Sequence, residues 1–499
     1  MEAFSPNHKK FKKVYDSGKP QILFTTLSAD LYTPVSTLIK FKSHKYTFLF
    51  ESVEKGNNKG RYSFLGIEPD LIWECKNKKC FIRNLKENTI DKIKNETPIN
   101  SLRKFFLKNK FVIPENLPPM SAGLFGYLGY DMIQNFEKIN LNNIDDLNIP
   151  DSIFVRPTLM LIFDNVSDKL YIVKSVWPEN LKADNVLKRS IAQIRNIIKI
   201  LQRPVKIKTK NNFIENQSNS SLLKGVKSNI EFNEFKKMVN KAKQYIFSGE
   251  IFQVVLSRRF KKKIKTSSIS IYRALRYLNP SPYLFYINFN NFSVVGSSPE
   301  ILVRLNNKTV TIRPIAGTRK RGKDLNEDIK LKDELLNDPK EISEHLMLLD
   351  LGRNDISKVT KAGTVEITDN MIVEFFSHVM HIVSNINGTI KDDSDNVDAL
   401  LGGFPAGTVS GAPKIRAMEI IEELENTKRK IYAGSIGYLS SNGNLDSCIV
   451  LRTAIIKNKH IYIQSGAGIV AESEPINEFK ETENKAMALL QAEELSKKF

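Results

Sequence analysis

Mixed helices and antiparallel hairpins are what this sequence predicts, and three patterns predict them. Strand-like alternation recurs in short runs separated by turns, as in residues 46–53 and 61–66. Apolar stripes of helical period interrupt those runs. A β-meander closes the chain: residues 434–440, a Ser-Asn-Gly turn, then 445–456 and 460–464.

The elements follow in order. Residues 20–80 alternate as strands, with a turn at 55–60, and 97–110 form a helix. Gly123-Leu-Phe-Gly-Tyr-Leu-Gly-Tyr130 matches no dinucleotide fingerprint and reads as close packing of backbone and rings in a sheet. Residues 158–163 and 170–173 make a hairpin, and a helix follows at about 180–201. Between 203 and 229 Lys, Asn, Ser and Gln dominate. That stretch is a linker or long surface loop, dividing 1–202 from 230–499.

The second half opens with a helix at 233–248, closed by Gly249. The strand 251–260 puts Gln253, Val255 and Ser257 on one face. A Gln among valines needs partners, so it is a structural hydrogen-bonder or a site residue. A turn at 279–284 leads into strands at 285–288, 297–304 and 309–318, and the charged run 319–323 reads as solvated surface. His381 lies in an apolar run, as satisfied core histidines do. Gly407-Thr-Val-Ser-Gly-Ala-Pro-Lys414 opens a helix at 415–424 but lacks the Gly-Lys-Ser/Thr ending of a nucleotide loop. Its helix N-terminus still favours an anion. On the strand 445–456, Cys448, Val450, Arg452 and Ala454 share a face. An arginine there calls for a carboxylate or phosphate held bidentately. Ser465-Gly-Ala-Gly468 offers backbone N–H groups to an oxyanion.

Two acidic helices stand out. In the first, Asp338 is placed as N-cap and Pro339 as first helical residue, with Glu341 three past the cap. Ile342, Leu346 and Leu349 fall on one face of what reads as a buried helix, and Glu341 and Glu344 share another. In the second, Pro475 marks the first turn, and Ile476, Phe479, Ala486 and Leu490 form the stripe. Glu478, Glu481 and Lys485 run down an adjacent face. Read singly, Glu341 is half of a capping box, and Glu481–Lys485 a surface pair of about 0.3–0.5 kcal/mol. Facing each other, the helices mean something else. Carboxylates about 4 Å apart repel by about 4 kcal/mol at an effective dielectric near 20. A hard divalent cation reverses that sign, and Mg²⁺ keeps positions open for water and an anionic substrate.

Bulk properties bound the function. The 499 residues are 41% hydrophobic and 26% charged, an ordinary globular balance with ample core. The net charge of +20 is spread along the chain, without the aromatic interleaving of a nucleic-acid groove. No nucleic-acid partner is expected, and the diffuse positive field suits a small dianion. Cys75, Cys80 and Cys448 are odd in number and scattered, as in a reducing compartment. The polar N-terminus and the lack of a membrane-spanning apolar run lead to the expectation of a soluble, cytoplasmic protein.

Six motifs occur in order: Pro314-Ile-Ala-Gly-Thr318, Ser343-Glu-His-Leu-Met-Leu348, Gly407 to Lys414, Asp446-Ser-Cys-Ile-Val-Leu-Arg452, Gly466-Ala-Gly468 and Glu481-Thr-Glu-Asn-Lys-Ala486. As a set they closely resemble the chorismate-utilising enzymes, and among them the anthranilate synthase component I family. The resemblance implies an α+β fold, with two stacked antiparallel β-sheets forming a sandwich and helices outside. It implies conversion of chorismate and ammonia to anthranilate and pyruvate with Mg²⁺. Glu344 and Glu481 would ligate the metal, helped by Glu341 and Glu478. Arg452, Tyr432, Lys485 and the amides of Gly466, Ala467 and Gly468 would anchor carboxylates, with Gly317 and Thr318 lining the site. Glu300 would protonate the departing hydroxyl. His381 would assist loss of pyruvate, with Thr408 beside the ring.

Water-using isochorismate-type relatives carry Lys where this chain has Gln253, and a Gln cannot activate water. Aminodeoxychorismate synthases, the alternative reading, usually carry Lys in place of Ala316. No cysteine sits in a Gly-x-Cys-x-Gly elbow, so glutamine hydrolysis would fall to a separate amidotransferase subunit, in a heterotetramer of two large and two small chains. Tryptophan would inhibit at a site holding Ser52, Pro282, Tyr283 and Leu284. The family often has Leu at Phe50 and Met at Leu284.

Overall fold

Two long paired strands, Tyr62–Lys76 and Ser152–Asp164, join two stacked antiparallel sheets in the computed structural model, which describes residues 4–53, 60–205, 222–375 and 379–499. Their register slips where Pro69 faces Pro157. Neither proline can donate to the ladder, and the irregularity bends the pair. Beyond the bend each half serves a different sheet.

In one sheet, residues 159–164 pair with Lys169–Val176, which pairs with Gln21–Ser28. On its other side, 62–67 leads through Phe48–Glu51, Tyr283–Asn288, Ser293–Ser298, Thr453–Lys457 and His460–Ile469 to Gln253–Lys263. In the second sheet, 152–156 leads through Gly123–Leu128, Ser435–Ser440, Leu445–Ile449, Ile301–Asn306 and Thr309–Ile312 to Val379–Thr389. The sheets meet through an aromatic core: Phe48 stacks on Phe125 at 4.7 Å and Phe64 meets Tyr438 edge-on at 5.6 Å. Helices cover both outer faces. This is the α+β sandwich expected. Strands from both halves interleave, as Phe48–Glu51 beside Tyr283–Asn288 and Gly123–Leu128 beside Ser435–Ser440.

Most local expectations hold. Helices run over Pro98–Lys108, Ala183–Gln202 and Phe232–Phe247, and Gly126 lies so close to the Ile153 backbone that no side chain fits. The turn at 55–60 falls almost wholly, and the polar stretch 203–229 mostly, outside the described residues. No helix among the described residues is long and apolar enough to cross a membrane.

Three expectations are corrected. The strand read over 445–456 is two strands, broken at 450–452, with Arg452 in the left-handed region at φ 46°. Leu445–Ile449 belongs to one sheet and Thr453–Lys457 to the other, so Cys448, Val450, Arg452 and Ala454 do not share a face. The run 297–304 breaks at Pro299-Glu300 for the same reason. The acidic helices' apolar stripes are also rotated from those read. Pro339–Ser357 buries His345, Leu348, Leu349, Gly352 and Ile356 and leaves Leu346 49% exposed; Pro475–Leu495 leaves Ile476 outside. Helical period fixes which residues share a stripe, but which of two competing stripes faces inward depends on the surface it meets.

Candidate active site

The two chain crossings between sheets place the first pair of residues. Glu300 lies between Ser293–Ser298 and Ile301–Asn306, and Arg452 in the neighbouring crossing. The Glu300 carbonyl accepts from the Ile449 amide at 3.1 Å, and the Arg452 carbonyl from the Ser297 amide at 3.2 Å. Glu300 is buried, and burial pushes its carboxyl up from 4.5 to about 8, against the pull of a Thr408 hydrogen bond and the Arg452 charge. Burial thus favours its protonated form. Thr408 Oγ1 donates to Glu300 Oε1 at 3.1 Å.

His381 stands on Val379–Thr389, beside a register slip in Ile315–Lys320 between Ala316 and Arg319. The slip frees the Gly317 carbonyl, which receives His381 Nδ1 at 2.8 Å, with Thr318 Oγ1 at 3.1 Å. A carbonyl only accepts, so Nδ1 carries the proton and Nε2 keeps its lone pair. Burial lowers the imidazole pKa, so the ring stays neutral, with the Gly317 bond opposing and the Arg452 charge assisting. His381 is thus no mere core histidine: it faces the same arginine as Glu300. Gly317 also has φ 65°, and a side chain there would come within 3.3 Å of Glu341 Oε2.

Both acidic helices come to this place. The Glu344 carboxyl is raised by burial, then by the Glu341 and Glu481 charges, and is steadied by a hydrogen bond from the Gln253 amide. The Glu478 carboxyl is raised by burial and by Glu481. Lys340 lies near enough to Glu344 and Glu478 to offset both. Asp338 caps the first helix as read, accepting from the Lys340 and Glu341 amides. Among the described residues no group of three or more His, Cys, Asp or Glu side chains is placed to hold a metal ion. Arg319 Nη1 holds Glu341 at 3.1 Å, and Lys485 Nζ holds Glu481 at 2.6 Å. By donor type alone the four carboxylates suit a hard cation, with Glu341 and Glu481 each engaged in an ion pair here.

Gly466 and Gly468 lie within the strand His460–Ile469, not in a loop beyond it. The Gly466 carbonyl accepts from Lys485 Nζ at 3.0 Å and the Gly468 carbonyl from Ser473 Oγ at 3.5 Å. A strand residue's N–H and C=O point the same way, so the amides of both glycines share that outer edge. Ala467 lies opposite Leu256 across the ladder, so its amide points into the sheet while those of its two glycine neighbours point away from it. A side chain at 466 would strike the Tyr432 hydroxyl at 2.8 Å, and one at 468 the Gln253 amide nitrogen at 2.7 Å. Tyr432 and Gln253 therefore close round the two glycines.

Ser52, Pro282, Tyr283 and Leu284 line a separate cavity of about 670 Å³ at one end of the inter-sheet space. Leu284 is fully buried, opposite Glu51 across the ladder. Glu51 Oε2 accepts from Tyr272 and from Arg276 Nε, while Tyr283 donates to Asp446 Oδ1 at 2.8 Å.

Sequence reading missed several residues. Arg319, taken as solvated, ties Glu334, Asp338 and Glu341 together. His345, read only as part of a motif, is wholly buried with Nε2 against Ser384 Oγ at 2.7 Å. The buried Arg429–Glu425 pair, spaced four apart on the chain, drew no attention although i,i+4 opposite charges are visible in a sequence.

With its interleaved antiparallel sheets and two acidic helices, the chain belongs to the chorismate-binding enzymes, whose family model (chorismate binding enzyme) matches residues 45–491. Within it the chain stands with anthranilate synthase component I. It is 45% identical over 492 residues to anthranilate synthase component 1 of Cereibacter sphaeroides, covering 97% of each chain. It is also 45% identical to that of Acetivibrio thermocellus, covering 93% of each. The crystal structure of anthranilate synthase component I from Streptococcus pneumoniae TIGR4 matches with a TM-score of 0.76 at 33% identity, covering 93% of this chain and 98% of that one. At 20% identity the menaquinone-specific isochorismate synthase MenF of Escherichia coli shares the fold, with a TM-score of 0.70.

Proposed function

We propose that this chain converts chorismate and ammonia to anthranilate, pyruvate and water, as the Mg²⁺-dependent large subunit of an anthranilate synthase in tryptophan biosynthesis. The carrying observation is the buried Glu300 carboxyl, held by the Thr408 hydroxyl and close to the Arg452 charge, with Gly317 against Glu341 and Gln253 bonded to Glu344 on the first acidic helix, where Glu344 also feels the Glu481 charge of the second.

Each residue has work suited to its state. Arg452 and the Gly466 and Gly468 amides hold the substrate carboxylates, with Tyr432 and Lys485 at the rim of that cradle. Glu300, protonated at neutral pH, gives its proton to the leaving hydroxyl, and Thr408 keeps the acid oriented. His381 Nε2, unprotonated, accepts a proton in the step that expels pyruvate. Gln253 has no basic lone pair, so it can orient ammonia but cannot deprotonate water. Mg²⁺, held by Glu344 and Glu481 with Glu341 and Glu478, would neutralise a substrate carboxylate and bring it to the cleft. The described residues include no cysteine outside Cys75, Cys80 and Cys448, all buried, which supports a separate glutamine amidotransferase partner; two large and two small subunits is the assembly that the family resemblance implies. The Ser52 cavity is the site for tryptophan as feedback inhibitor.

Mass analysis of the product from chorismate, Mg²⁺ and an ammonium salt tests the reading. Anthranilate is expected. Accumulation of 4-amino-4-deoxychorismate would point to the aminodeoxychorismate reaction, against which Ala316 argues because it supplies no amine. Glutamine in place of ammonium should give nothing with the single chain.

A further inference from the structure

Arg429 is a buried charge with four side-chain hydrogen bonds, and none of the chemistry above uses it. Its guanidinium is fully buried and spends its donors on three elements. Nε and Nη2 grip Glu425, four residues back at the end of the helix Lys414–Leu424. Nη2 also donates to the Val255 carbonyl at 2.6 Å, two residues along the strand from Gln253. Nη1 donates to the Val409 carbonyl at 2.8 Å, next to Thr408. Its plane lies 4.9 Å from the Tyr130 ring and 5.5 Å from the Tyr432 ring. Glu425 is held in turn by the Ser257 amide and hydroxyl, both at 2.8 Å. Ser257 Oγ then receives Gln464 Nε2 at 2.8 Å, two residues before Gly466.

The turn that carries Thr408 is anchored at both ends, by the Ser410 hydroxyl donating to the Ala406 carbonyl at 2.8 Å and by Gly411–Ala412 pairing with the strand Gln253–Lys263, and Arg429 supplies the bond to the Val409 carbonyl between them. Gly407–Ser410 is a single helical turn with no side-chain cap. Its Gly407 carbonyl accepts from the Gly411 amide, but so short a helix offers no following turn to the Val409 carbonyl, and the Arg429 donor fixes where that carbonyl sits.

We propose that Arg429 is a positioning residue, which sets Thr408 against Glu300 by holding the Val409 carbonyl. This rests on the reading of Glu300 and Thr408 given above. A lysine has no planar fork and cannot hold Glu425, Val255 and Val409 together.

The test uses the full chain with chorismate, Mg²⁺ and ammonium. Arg429→Lys should lower kcat about ten- to a hundredfold, the scale of small misplacements, with KM for chorismate changed much less. Thr408→Val should lower kcat, and the double variant should be no slower than the slower single variant. Multiplicative losses, or an Arg429→Lys variant with unchanged kcat, would overturn the proposal. Amide exchange gives a readout independent of turnover: residues 407–411 should exchange faster in Arg429→Lys while strand 123–128 does not. Unchanged exchange at 407–411 also overturns it. Faster exchange with an innocuous Thr408→Val would instead remove Thr408 from the chemistry and leave the loop's dependence on Arg429 standing. If Arg429→Lys does not fold, the paired Glu425→Leu/Arg429→Met replacement, which strands no charge, carries the same measurements.

Discussion

Glu300 and Arg452 lie in adjacent chain crossings, each at the point where a strand leaves one sheet for the other. A crossing interrupts the ladder, so backbone and side chain turn toward the gap between layers. Here it brings a carboxyl that burial pushes toward its protonated form near a buried arginine.

The acid sets a pH dependence. Glu300 must be protonated to donate, so kcat/KM should fall as pH rises through about 8. Glu300→Gln should lose about 10²-fold or more in kcat. Stability moves with the same proton. The folded chain binds it between 4.5 and about 8 and the unfolded chain does not, so this contribution is full below 4.5 and is lost as pH rises through about 8. Above that range Glu300→Gln should melt higher than the parent chain. A kcat/KM profile flat to pH 10 would refute the role.

Metal dependence should follow the helices. Glu344→Gln and Glu481→Gln should each raise the Mg²⁺ concentration for half-maximal rate about tenfold or more, since each removes one hard oxygen ligand. Turnover undiminished in excess chelator would rule out the clamp.

Gln253 contacts the cleft through Glu344 and the Gly468 position. Gln253→Lys would put a base where the amide stands. Ammonia-dependent anthranilate formation should fall about tenfold or more, and a hydroxylated isomer of chorismate should appear on chromatography.

Tryptophan inhibition should depend on the second cavity alone. Ser52→Ala and Tyr283→Phe, the latter losing the bond to Asp446, should raise the half-inhibitory concentration about fivefold or more, the scale of one hydrogen bond. Uninhibited kcat should stay within about twofold, because neither residue lies among the groups around Glu300. Identical inhibition curves would remove the site.

The sheet interface can be tested by stability. Phe125 is 1% exposed and touches Phe48, Phe64 and Tyr438. Phe125→Ala should destabilise by about 3–5 kcal/mol in chemical unfolding.

Local pattern by itself determined much here. Alternation, caps and turns gave the hairpins, the helix Pro339–Ser357 with its Asp338 cap, and the carboxylate spacings, because these depend on residues within a few positions of one another. Six ordered motifs marked the residues of the cleft. What the tertiary structure decided was every relation across the gap between sheets. Arg452 looked like one residue in an unbroken strand until the pairing partners on its two sides proved to belong to different sheets. Leu346 looked buried until the first acidic helix turned His345 and Leu349 inward instead. Arg319 looked solvated until three carboxylates met it. Burial, ion pairing and a shifted pKa arise from neighbours distant in the chain, and only folding supplies them.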